Sequence, residues 1–104
     1  MEQEIMKIIL NAGDARAKCL IALRKARNGE FEEAEKQLKE ASESMVEAHK
    51  YQTELIQKEI SGEQQEINLL MVHAQDHLMT ALAIKDMVIE LIEFAKEIHG
   101  IEVK

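Results

Sequence analysis

Between Val72 and Thr80 the chain reads VHAQDHLMT, which places His73, Asp76 and His77 within five positions. The stretch lies inside a long apolar-periodic segment without glycine or proline, the pattern of a helix interior. On a helix His73 and His77 are four residues apart and share a face, Asp76 follows His73 by three, and Thr80 follows Asp76 by four. Two chemistries suit such a set. A His-x3-His pair is a two-point imidazole ligand set for a metal. Here Ala74-Gln75-Asp76 intervenes rather than the Glu-x-x of a zinc protease, and a third ligand must come from elsewhere. His49 and His99 are available, but no spacing ties them in. Alternatively, a neutral imidazole is a covalent catalyst, with a phosphoryl group as natural cargo.

A phosphoryl site needs one exposed imidazole and donors around the phosphoryl oxygens. His77 can supply a donor. Gln75 points about 160° away from His73 on the same helix, so it would reach from another subunit or not at all. The stretch holds no arginine or lysine, so electrostatic help must come from outside it. The plain alternative is polar residues that meet water, which suits His49 and His99. Asp76 tips the cluster toward function, because it shares a helix face with Leu69, Val72, Ala83 and Met87. An unpaired buried charge costs several kcal/mol. Copies of Asp76 meeting at a symmetry axis would have to share protons or bind a cation with oxygen ligands.

The elements that position these residues are helices. The 104-residue chain has no proline, 46% hydrophobic and 3% aromatic residues, which favours an all-α fold over a β-sandwich. Asn28-Gly29 and Ser61-Gly62 divide it, and Gly100 closes the last segment. The spacing predicts helices at about 2–27, 30–60 and 64–99, an antiparallel three-helix bundle in a single domain, 1–104.

The first helix repeats Ile5, Ile8, Ile9, Ala12, Ala15, Cys19, Ala22, Leu23 and Ala26 at steps of three and four, mostly small residues that permit close approach. The second carries one stripe through Phe31, Ala34, Leu38, Ala41, Met45, Ala48, Gln52 and Leu55, the pattern of an outer bundle member. The third carries a heptad-like seam through Ile67, Leu70, Ala74, His77, Ala81, Ile84, Val88, Leu91, Ala95 and Ile98, flanked by Met71, Leu78, Ile89 and Ile92. A helix apolar nearly all round must be covered nearly all round. Two partners within one chain cannot do so, and the third helix is therefore expected inside a symmetric oligomer. Periodicity does not choose between a twofold and a threefold axis.

The net charge of −7 argues against nucleic acid, which requires a basic footprint, and against an anionic membrane surface. A single cysteine, Cys19, forms no internal disulfide. MEQEIMKIIL lacks the basic start of a signal peptide, and no apolar run approaches the roughly 20 residues of a membrane span. A cytoplasmic protein is expected.

LMVHAQDHLMTAL closely resembles the signature of the lactose/cellobiose-type enzyme IIA proteins of the bacterial phosphoenolpyruvate-dependent sugar phosphotransferase system. NAGDARAKCLIALRKARNGEFEEAEKQLKEASESMVEAHKYQTELI and MVIELIEFAKEI extend the resemblance over nearly the whole chain. The resemblance implies a phosphoryl carrier with a phosphohistidine intermediate, a relay rather than a stand-alone enzyme. His73 would accept the group from the histidine-containing phosphocarrier protein. It would pass it to a cysteine of the cognate enzyme IIB, for uptake of a β-linked disaccharide of the lactose, cellobiose or chitobiose type. His77 and Gln75 match supporting positions. Asp76 matches a metal ligand shared between subunits, implying Mg2+ on the axis of a nine-helix homotrimer. The alternative is a non-catalytic helical oligomerisation or metal-binding module.

Overall fold

A computed structural model describes residues 2–63 and 67–100. These form α1 (Glu2–Arg27), α2 (Phe31–Ile60) and α3 (Leu69–Ile98), with no strand among the described residues. Both connecting turns end their helix by the same device. After α1, Gly29 takes a φ of 81°, its N–H donates to the Ala26 carbonyl at 3.0 Å, and the Glu30 N–H donates to Lys25 at 2.8 Å. After α2, Gly62 takes a φ of 97°, with the matching bonds to Glu59 at 3.1 Å and from Glu63 to Lys58 at 3.0 Å. This pairing satisfies carbonyls that a helix end leaves orphaned, and glycine reaches positive φ without a Cβ penalty.

The expected ends at 27 and 60 coincide with those observed. The start of α3 does not. Residues 67–68 are non-helical, and Asn68 caps α3 by accepting the Met71 N–H at 3.0 Å. A short amide that binds the free N–H groups of the first turn fixes the start there. The remainder of the expected start, 64–66, lies outside the described residues.

Ion pairs and hydrogen bonds set the register. Glu4 meets Lys58, Asp14 meets Ser44, and Lys18 meets Glu40, so α2 runs antiparallel to α1. Gln75 meets Gln52 and Lys96 meets Glu35, so α3 runs antiparallel to α2. The helices form a slab measuring 54 × 21 × 16 Å. Helix α1 lies in the middle and packs along both neighbours, while α2 and α3 touch each other sparingly. Its small residues make that position workable: Ala12, Ala15, Cys19, Ala22 and Ala26 are fully buried, so both neighbours approach the α1 backbone closely. Burial pushes the Cys19 thiol pKa up, against the pull of Lys85, which leaves it a protonated packing group.

The seam of α3 differs from the expected one. Its buried residues are Ala74, Leu78, Ala81, Val88, Ile92 and Lys96. Leu78 and Ile92 are core, not flank, whereas Leu91 is exposed, His77 is half-buried at the rim, and Ile67 and Ile98 are largely exposed. Steps of three and four run equally well through 77, 84 and 91 as through 78, 85 and 92. Lysines at 85 and 96 disguised the second path. Lys96 buries its stem and directs its ammonium to Glu35 at 2.6 Å, so a charged residue takes a core position by snorkelling.

None of the described helices is long and apolar enough to cross a membrane.

Candidate functional site

The rotation of the α3 seam sets the site. With Leu78 buried, His77 moves to the rim and His73, one turn before it, stands exposed. Their rings meet edge to face, with centres 4.4 Å apart and planes at 86°. Such contacts favour a defined ring orientation through the quadrupole of the ring, so His77 restrains His73 while leaving its nitrogens open. His73, Asp76, His77, Thr80 and Ile84 line an open cleft of about 270 Å³, and α1 contributes Arg16 to the same wall. Neither imidazole nor Asp76 has a hydrogen bond or ion pair among the described residues. The site is therefore a free imidazole pair with a carboxylate and a guanidinium beside it, open to a large partner.

Arg16 is the residue that sequence reading left out. The required cation was expected outside the motif, and the periodicity of α1 even places residue 16 next to the buried Ala15. Which face of α3 it would meet became apparent only once the two helices were packed together.

Gln75 is not brought to His73. It faces α2, where its Oε1 accepts a hydrogen bond from Gln52 Nε2 at 2.8 Å, beside a second cleft of about 320 Å³. Asp76 borders both clefts. It is exposed within the single chain, so the cost of burying its charge would arise only in an assembly. Among the described residues no three His, Cys, Asp or Glu side chains gather into a metal cage. His49 lies on α2 away from both clefts. His99 closes the end of α3: its Nδ1 lies 2.8 Å from the Ala95 carbonyl and its ring meets Phe31 edge-on at 5.4 Å.

Around Asp76, α3 presents an uncovered apolar face. Leu69, Val72, Met79, Met87, Leu91 and Phe94 are all exposed, Leu69 at 84% and Phe94 at 59%. Scattered exposed apolar residues are ordinary, but a contiguous face on one helix marks an interaction surface.

The fold and site define a three-helix slab with an exposed imidazole, His73, set against the half-buried His77 at the rim of an open cleft. Residues 3–96 match the lactose/cellobiose-specific IIA subunits of the phosphotransferase system, and the chain belongs to that family. It is 52% identical over 98 residues to the lichenan-specific phosphotransferase enzyme IIA component of Bacillus subtilis, covering 94% of this chain and 89% of the relative. The crystal structure of the cellobiose-specific enzyme IIA from Bacillus anthracis is similar with a TM-score of 0.93 and 43% identity, over 95% of this chain and 91% of that one. The IIA(chitobiose) of Escherichia coli, solved in solution as a complex with HPr, is similar with a TM-score of 0.81 and 34% identity, over 94% and 95%.

Proposed function

We propose that this chain is the phosphoryl carrier of a sugar phosphotransferase system, taking a phosphoryl group from HPr, the histidine-containing phosphocarrier protein, onto His73 and delivering it to a cysteine of the cognate enzyme IIB. The sugar is a β-linked disaccharide of the lactose, cellobiose or chitobiose type. The observation that carries the reading is the exposed His73 ring held edge-on by His77 at the mouth of an open cleft. A similar chain solved with HPr supports the first partner.

The chemistry is positioning more than bond-making skill. Phosphoryl transfer passes through a loose transition state, with charge on three equatorial oxygens and the attacking and leaving atoms in line. His73 offers a lone pair on a free ring nitrogen, and an open cleft lets the donor's histidine, and then the acceptor's cysteine, approach along one line. His77 orients the ring and can donate toward the phosphoryl oxygens. Gln75 takes a supporting part only from a neighbouring copy.

The assembly in this reading is a homotrimer with the apolar α3 faces inside. Asp76 has the donor type that suits Mg2+, a hard cation taking carboxylate oxygens. One carboxylate does not make a site, so Asp76 of each subunit would hold a shared ion. When bound, that ion offsets the mutual repulsion of the carboxylates, and the phosphoryl relay runs beside it. The protein works in the cytoplasm, where its donors are.

The test is to mix the full chain with phosphoenolpyruvate and the general transfer proteins and to weigh the product. The wild type gains one phosphoryl group; His73→Ala gains none. Label on His73→Ala would show that the nucleophile lies elsewhere. An unlabelled wild type would leave a helical interaction module in place of a carrier.

A further inference from the structure

We propose that Arg16 of α1 is the cationic clamp for the phosphoryl group on His73, an inference that rests on reading His73 as the phosphoacceptor. Three observations carry it. First, Arg16 lines the same cleft as His73 and His77, and it is the cation in that wall. Second, its guanidinium is unengaged: among the described residues it has no ion pair or hydrogen bond, whereas Lys18 and Lys25 on the same helix pair with Asp14, Glu40 and Glu30. Third, its base is rigid. Ala12, Ala15 and Cys19 beside it on α1, and Ala74 and Ala81 of α3, are all essentially buried, so the two backbones are locked together where the side chain leaves α1.

The site has a charge problem that Arg16 solves. A phosphoryl group brings about −1.5 to −2 charges. It would arrive beside the Asp76 carboxylate, on a chain whose net charge is already −7. His77 can donate one hydrogen bond but cannot span two oxygens. A guanidinium presents a planar fork that matches two phosphoryl oxygens at once and stays charged at every working pH. The side chain needs only to swing across the cleft it already lines.

In the step itself, a ring nitrogen of His73 gives its lone pair to phosphorus while the bond from phosphorus to the donor's ring nitrogen breaks, that electron pair staying on the donor. One proton passes from the other ring nitrogen of His73, through solvent, to the donor's ring. Arg16 neither gives nor takes a proton; it binds the equatorial oxygens before, during and after transfer. It therefore holds the phosphorylated product as well as the transition state.

The experiment uses the full chain with phosphoenolpyruvate, the general transfer proteins and HPr. Arg16→Gln is expected to slow labelling of His73 on the order of 10- to 100-fold, the scale of a lost charged hydrogen bond. It should also shift the equilibrium share of phosphoryl toward HPr, and Arg16→Lys should recover only part of both. Arg24→Gln, an exposed arginine of α1 away from the cleft, should match the wild type. In the unaltered protein, the Arg16 Nε–H resonance should move when His73 is phosphorylated, which keeps the test decisive if Arg16→Gln fails to fold. Wild-type rate and equilibrium in a folded Arg16→Gln, or an unmoved Arg16 resonance on labelling, overturn the clamp while His73 stands. A wild type that takes no label overturns His73 and the clamp together.

Discussion

The His73 ring stands almost perpendicular to that of His77, centre to centre 4.4 Å, one turn apart on α3. The two imidazoles are unequal: His73 is exposed and His77 is half-buried against the α1–α3 contact. In the proposed relay, access favours His73 for attack and leaves His77 to position it. His77→Ala should lower the transfer rate on the order of 10- to 100-fold without abolishing the label, in the range of a lost positioning or donor group. His77→Phe, which keeps the edge-to-face contact and removes the nitrogens, should recover the part due to orientation. Rapid-quench labelling reads both; a total loss in His77→Ala would make His77 a second essential group.

Asp76 sits in the middle of the uncovered apolar face of α3. In the proposed homotrimer the Asp76 carboxylates face one another, so Asp76→Leu should stay folded and oligomeric and should lose any dependence of assembly on divalent cation. Sedimentation with and without EDTA checks this. A monomeric Asp76→Leu would show that the carboxylate, not the apolar face, drives association.

The centre of the slab tolerates no bulk. Ala22 is fully buried on α1, which packs on both sides. Ala22→Leu should destabilise the protein by about 1–3 kcal/mol by forcing the helices apart. Urea unfolding measures it. A loss near zero would mean that the α1 contacts yield more readily than their burial implies.

Ser44 donates to the Asp14 carboxylate at 2.5 Å, and Lys18 adds a salt bridge at 3.1 Å. Those contacts hold the Asp14 carboxyl below its usual range, the Ser44 bond foremost, with burial opposing. A folded-state pKa below the unfolded one adds stability that is fully present above about pH 4 and fades as pH falls through the folded value. Ser44→Ala should raise the Asp14 titration midpoint and shift acid unfolding to higher pH. Both partners are substantially solvated, so the gain is small. Carbon-detected NMR titration of Asp14 gives the midpoint; an unchanged value would remove Ser44 as the main cause.

The sequence by itself determined the helices, their glycine ends, the small-residue spine of α1 and the motif holding His73, Asp76 and His77. These follow from local rules: periodicity of apolar positions, positive φ at glycine, and i,i+4 neighbours on one face. It also made the outer face of α3 legible as a surface in need of a partner. Tertiary structure decided three things that local rules leave open. It chose the seam through Leu78 and Ile92 over the one through His77 and Leu91, and on that seam the Lys96 stem lines the core while its ammonium reaches out to Glu35. It placed α1, not α3, at the centre of the single chain, where the small residues of its buried stripe let both neighbours approach. And it brought Arg16 to the histidine pair from 57 residues away in sequence. A long side chain on one helix meets a cleft on another only through the packing of both, and no pattern within either helix records that meeting.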